Sequence, residues 1–279
     1  MDITLVICTR NRAHLLAEAL PHLARLTAAA AWELVFVDNG SSDATQEVLA
    51  AFAAQSGLNA TVLHEPRVGL AAARNTGWRR ARGRLIAFTD DDCYPAPDYL
   101  DQVGACFAET DLGYLGGRVL LFDQNDYPVT IKVDEQREDF PPRSFLWAGA
   151  VHGANLAVRR DVLERAGGFD EMLGIGGKCE SAEDIDLVAR ASALGFHGAY
   201  DPRPVVLHHH RRRRPDELER LLAHYDIGRG AFYAKAVMDS RMRRPYLWPV
   251  FRRIAGNVRR GDFAVMFREF RGAWRYLRG

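Results

Sequence analysis

The chain has 279 residues, 48% of them hydrophobic and 26% charged, with a net charge of +1. That is enough apolar material for a full core in one large or two small domains, and it excludes a disordered or low-complexity chain. The apolar runs are short and residues 1–10, "MDITLVICTR", lack the charged and long apolar regions of a leader. No signal peptide and no membrane span are therefore expected, and the cytoplasm is the expected location.

Cys8, Cys93, Cys106 and Cys179 are scattered without CxxC spacing, so neither a zinc site nor a disulfide framework is expected. The small net charge conceals a division. Residues 1–200 hold 18 Lys/Arg against 28 Asp/Glu, whereas residues 201–279 hold 19 against 8. Such a tail calls for an anionic partner, either the acidic face of the main domain or an anionic membrane surface.

In chain order, "ITLVIC" (3–8) reads as a strand, and Leu15, Leu16, Ala19, Leu23 and Leu26 then recur at helical spacing. The alternation repeats in "WELVFV" with "DATQEVLAAFAAQ", "ATVLHE" with "GLAAARNTGWRRA", and "RLIAFT" with "PDYLDQVGACFAE". Four strand–helix units predict an α/β fold, a mostly parallel sheet with helices on both faces. Ligands bind such sheets beyond the carboxyl ends of the strands, and there the polar residues gather: Thr9 and Arg10, Asp38 and Asn39, and Asp90, Asp91 and Asp92.

From residue 114 the pattern changes. "YLGGRVLLF" reads as a strand, and residues 123–145 form a polar, Pro-punctuated excursion. Strand "NLAVRR", helices "DVLERAGG" and "SAEDIDLVARASALG", and strands "FHGAY" and "PVVLHH" follow. After Pro215 helices dominate, and in the last one Phe263, Met266, Phe267, Phe270, Trp274 and Leu277 recur opposite arginines.

Three adjacent carboxylates repel one another and call for a positive partner. Hard oxygen ligands select Mg²⁺ or Mn²⁺, commonly shared with a phosphate-bearing substrate. A helix-capping role for one of the three is the simpler reading. Ser181 likewise reads as an N-cap, with Asp184 at the capping-box distance.

The triple Asp, taken with "VICTRNR" (6–12), "VDNGSSD" (37–43), "GLAAARNTGW" (69–78), "GANLAVRRDVLERAGGFDE" (153–171) and "EDIDLVAR" (183–190), resembles the family-2 inverting glycosyltransferases of the GT-A fold. The resemblance covers about residues 3–210. It implies a catalytic domain over 1–210, with a nucleotide-binding part over 1–120 and an acceptor-binding part over 121–210; residues 211–279 are a basic helical extension.

By this resemblance, Thr9, Arg10, Arg12, Asp38 and Asn39 bind base and ribose, Arg74 and Asn75 lie under the nucleotide, and Asp90 and Asp91 contact the donor. Asp92 ligates Mg²⁺ or Mn²⁺, with His208 and then His210 as a further anchor. Asp184 is the general base and Glu183 its neighbour in the site, either of which could face the acceptor. Gly153, Ala154 and Asn155 line the acceptor pocket, with Trp147 as a sugar-stacking platform. Arg211–Arg214 are candidates to close over the diphosphate.

The partners so implied are a nucleoside diphosphate sugar of UDP, dTDP or GDP type and a hydroxyl acceptor, free or lipid-linked. The competing readings are a non-catalytic binding module of the same fold and a nucleotidyltransferase. The aromatic, arginine-rich C-terminal segment suggests a peripheral membrane contact, with docking of its apolar stripe on the catalytic domain as the alternative. Nucleic acid is not an expected partner, because the acidic first part would oppose it.

Overall fold

In the computed structural model, which describes residues 1–279, strand β1 (Ile3–Thr9) is buried at every position. Unbroken burial is what a parallel strand covered on both faces requires. β1 pairs in parallel with β2 (Trp32–Asp38) and β4 (Leu85–Asp90), and β2 with β3 (Ala60–His64). Helices α1 (Ala13–Leu23), α2 (Thr45–Gln55) and α3 (Leu70–Arg80) make the crossovers.

After β4 come a short strand β5 (Cys93–Pro95), helix α4 (Tyr99–Glu109), strands β6 (Tyr114–Leu121), β7 (Glu138–Phe140) and β8 (Leu156–Arg159), and helices α5 (Arg160–Ala166) and α6 (Glu183–Ala193). Strand β9 (Gly198–His208) completes one mixed sheet of order β3-β2-β1-β4-β8-β6-β9-β5, with β7 paired to β9. β8 runs antiparallel to both β4 and β6, while β9 is parallel to β6. The two strands expected over "FHGAY" and "PVVLHH" are thus one, because its pairing with β6 continues across a register shift near Gly116 and Arg118.

The period-2 alternation divides the core between the two faces of the sheet. Leu5, Ile7, Leu34 and Phe36 pack with Leu16 and Leu20 of α1 and Leu100 of α4. Val6, Val35, Val37 and Phe88 pack on the other face with Ala73 of α3 and Ile185 and Val188 of α6.

Two capping expectations fail. Asp91 and Asp92 occupy the turn between β4 and β5, and Asp98 stands at the N-cap of α4, so none of the three adjacent carboxylates caps it. At α6 the N-cap is Ala182, held at φ 80°, with no side-chain cap. The Ser181 hydroxyl instead donates to the carbonyl of His224, 3.1 Å away. The excursion over 123–145 is held to the sheet by β7 and by the pairing of Lys132 with Val119.

The chain ends in helices α7 (Pro215–Met238), α8 (Arg243–Arg260) and α9 (Phe263–Arg278). α7 and α9 cross in near backbone contact, which glycines permit. A Cβ at Gly230 would lie 1.9 Å from the Glu269 carbonyl oxygen, and one at Gly272 would lie 1.8 Å from that of Ile227. No helix is long and apolar enough to cross a membrane.

Candidate active site

A cleft of about 710 Å³ opens beyond the carboxyl ends of β1 and β4 and is closed on the far side by α6 and α7. Its volume lies within the usual range for small-molecule sites.

The loops after β1 and β2 are tied together before they reach it. The Asn11 amide oxygen accepts from the backbone N–H of Ser42, Arg12 N–H donates to the Thr45 hydroxyl, and Ala13 N–H to the Asp43 carboxylate, at 2.8, 2.9 and 3.2 Å. This zipper fixes where Thr9, Arg10 and Arg12 meet the cleft.

The three aspartates have three different surroundings. Asp90 accepts from Arg74 at 2.9 Å. Asp91 accepts from the Thr9 hydroxyl at 2.5 Å and lies 3.7 Å from the Arg12 guanidinium. Burial, reinforced by Asp92, pushes the Asp91 carboxyl up to about 7.

Burial would also raise Asp92, but the His208 ring 3.3 Å away, together with the Arg12 and Arg212 guanidiniums, outweighs it and holds this carboxyl below its ordinary range. The other His208 nitrogen meets the Thr130 hydroxyl at 3.0 Å, which fixes the ring. Ligand atoms of Asp92, Cys93 and His208 lie within 4.8 Å of one another. Burial pushes the Cys93 thiol well above its ordinary value, so it stays protonated and is a poor ligand.

Arg74 spans the cleft floor. Buried on α3, it donates to Asp90 at one end and, at 2.7 Å, to Glu183 at the other, with a further 3.3 Å bond to the Gly153 carbonyl. Glu183 is buried, and burial together with Asp184 pushes it up to about 7 against the pull of Arg74. Asp184 is only partly buried and borders the cleft. Its carboxylate accepts from the N–H of Gly153 at 2.8 Å and of Ile185 at 2.7 Å. Neighbouring acids at the start of α6 thus have different surroundings, one buried and committed to an arginine, the other partly exposed and held by two backbone N–H groups.

A mixed sheet bearing this cleft at the carboxyl ends of its parallel strands is the frame in which the family comparison falls. The description "Glycosyl transferase family 2" matches over residues 4–167. The chain belongs to glycosyl transferase family 2.

Among family relatives, the pre-mycofactocin glycosyltransferase of Mycobacterium tuberculosis is 27% identical over 253 residues, 88% of this chain and 48% of that protein. The chain spans about half the length of the curated relatives it matches. A mannosyltransferase from Pyrobaculum calidifontis, solved with GDP-Man and Mn²⁺, superposes with a TM-score of 0.69 at 21% identity, covering 99% of this chain and 87% of that one. TarS from S. aureus in complex with UDP-GlcNAc gives 0.61 at 19% identity, over 86% and 74%. At these identities the structural likeness establishes the shared fold.

Thr9, Arg10, Arg12, Asn39, Arg74 and Asp90 border the cleft, as do Asp91, Asp92, Gly153 and Ala154, and Glu183, Asp184 and His208. Five expected site residues do not. Asp38 is buried and gives its carboxylate to His64, at 3.0 Å, and to Ser41 N–H. Asn75 binds the Phe169 carbonyl and Glu171, tying α3 to the segment after α5. Asn155 donates to the carbonyls of Arg118 and Pro204, tying the turn before β8 to β6 and β9. Trp147 packs edge-on against Phe140, and His210 meets the Tyr127 carbonyl at 3.1 Å. In each case the polar or aromatic group already has a protein partner. Asn39 borders the cleft but is also committed, bridging the carbonyls of Glu65 and Arg67 and the N–H of Gly69.

Sequence reading missed His152 beside Gly153, and Leu221, Tyr225 and Arg229 of α7, all of which border the cleft. Nothing local in the sequence marks them, since α7 reaches the cleft only through tertiary packing. The arginine run does resolve. Arg211 pairs with Glu18 at 2.6 Å, Arg213 with Asp126 at 2.8 Å and Arg214 with Asp216 at 2.8 Å. Arg212 has no acidic partner, borders the cleft, and carries a buried guanidinium nitrogen without a hydrogen-bond partner.

Proposed function

We propose that the protein is a metal-dependent inverting glycosyltransferase that moves a sugar from a nucleoside diphosphate donor to a hydroxyl acceptor. The observation that carries this reading is the pairing of Asp92 with His208 on one side of a cleft whose other side holds the partly exposed Asp184. Carboxylate oxygen and imidazole nitrogen suit Mn²⁺ or Mg²⁺, so Asp92 and His208 would hold the ion. When bound, such a cation supplies positive charge to the two phosphates, letting the diphosphate leave without a proton.

The chain's own groups account for the remainder. Asp184 takes the proton from the acceptor hydroxyl as its oxygen bonds to the sugar's anomeric carbon from the face opposite the diphosphate. The bond from that carbon to the diphosphate oxygen breaks, and the configuration inverts. Arg212, with unspent donor capacity, receives phosphate oxygens, for which a guanidinium is geometrically suited. Arg74 keeps Glu183 and Asp90 in register, which leaves Asp184 as the base rather than its neighbour. The solved neighbours carry GDP-Man in one case and UDP-GlcNAc in another, which supports a nucleoside diphosphate sugar as donor class.

Calorimetric titration with UDP, dTDP and GDP, each with Mn²⁺ and with EDTA, tests the donor half of the proposal. One diphosphate should bind with Mn²⁺ and not with EDTA, and Asp92→Ala should abolish that binding. Asp184→Asn should keep donor binding while lowering kcat by about 10²–10⁴, the usual contribution of a general base. Diphosphate binding without turnover, unaffected by either substitution, would identify a binding module instead.

A further inference from the structure

The apolar stripe of the C-terminal helices faces outward. On α9, Phe263, Phe267 and Phe270 are 65%, 68% and 67% exposed, and on α8, Trp248 and Phe251 are 64% and 60% exposed. They recur at three- and four-residue steps, so each helix presents one continuous apolar side. Trp248 stacks on Phe251 and Phe270 on Trp274, forming aromatic pairs on the surface.

The opposite side of α9 is the one the protein uses. Gly272 meets the α7 backbone, Glu269 accepts from Arg229 and Arg253 at 2.6 and 2.7 Å, and the Tyr276 hydroxyl donates to Asp170 at 2.8 Å. The stripe therefore has no partner within the chain, and exposed aromatic surface of this kind marks an interaction site.

Charge identifies the partner. Residues 243–279 contain ten arginines and two acids. Both acids are already paired, Glu269 as above and Asp262 with Arg260 at 2.7 Å. Arg244, Arg252, Arg259 and Arg271 are exposed and have no acidic partner. Aromatics flanked by unneutralised arginines form the pattern of a helix lying in the interface of an anionic bilayer. A second copy of the same face would bring like charges together.

We propose that the α8–α9 face docks peripherally on an anionic lipid surface. The same two helices are anchored to α7, α9 by the glycine crossing and α8 by Tyr246 packed edge-on against Phe232, and Leu221 and Tyr225 of α7 border the cleft. Docking thus holds the cleft beside the bilayer, within reach of an acceptor carried by a lipid. The docking inference stands on the surface alone and does not require the proposed transfer chemistry.

The test is flotation of the full chain with vesicles of phosphatidylcholine alone and of phosphatidylcholine mixed with phosphatidylglycerol. Binding should be confined to the mixed vesicles, fall with added salt, and drop by about fivefold for each of Arg244→Gln, Arg252→Gln and Arg271→Gln, which each remove one positive charge. The combined Phe251→Ser, Phe267→Ser and Phe270→Ser variant, its fold checked by circular dichroism, should no longer float. No flotation of the parent chain with phosphatidylglycerol vesicles, or equal flotation of parent and variants, overturns the proposal. So does a dimer in sedimentation velocity that the phenylalanine substitutions dissociate while the parent ignores vesicles.

Discussion

Helices α1 and α9 have the same kind of apolar periodicity and opposite fates. In α1, Leu16, Leu20 and Leu23 are 1%, 7% and 2% exposed, packed beneath the sheet. In α9, Phe263, Phe267 and Phe270 stand in solvent, while the glycine and the acid on the other side make the helix contacts. Periodicity reports that a helix has two faces, but not which one the protein buries. What turned α9 around is visible in its polar side. Glu269 has arginines from both α7 and α8 to meet, and only a glycine at 272 lets the α7 backbone approach so closely.

Substitutions can break that contrast. Leu16→Ala should have the largest effect, about 2–5 kcal/mol of lost stability, because a buried leucine leaves both transfer and cavity costs behind. Urea unfolding measures it, and a loss below 1 kcal/mol would mean that α1 is not anchored in the core.

Gly272→Val should come next, at about 1–3 kcal/mol, since its side chain must displace the Ile227 carbonyl at the α7–α9 crossing. A neutral result would show that the crossing is loose. Phe267→Ser should change stability by less than about 0.5 kcal/mol, as expected for an exposed position with no internal partner. A large loss would mean that the α9 stripe is covered in solution and that the two helices are alike after all.

The same distinction separates what could be read in advance from what could not. The strand–helix alternation over residues 3–109 was legible because burial on both faces leaves uninterrupted apolar runs, and because the helices between them keep a 3.6-residue period. The clustering of Thr9, Arg12 and Asp90–Asp92 followed from strand direction alone, since parallel strands deliver their carboxyl ends to one edge.

Side-chain commitment was not legible. Asp38 and Asn75 have suitable chemistry and suitable positions in sequence, yet His64 and Phe169 take up their hydrogen-bonding capacity through contacts 26 and 94 residues away. Of four consecutive arginines, three find acids at positions 18, 126 and 216, and the fourth is left facing the cleft. The neighbours Glu183 and Asp184 are likewise separated by Arg74, which reaches across 109 residues to one of them.

Sequence by itself determined the family, the strand–helix order and the edge of the sheet where a ligand belongs, because those follow from local periodicity and motif spacing. Tertiary structure decided which polar groups remain unspent at that edge and which side of each C-terminal helix faces water. Both depend on partners far along the chain, and a buried polar group is available to a ligand only when no such partner has already satisfied it.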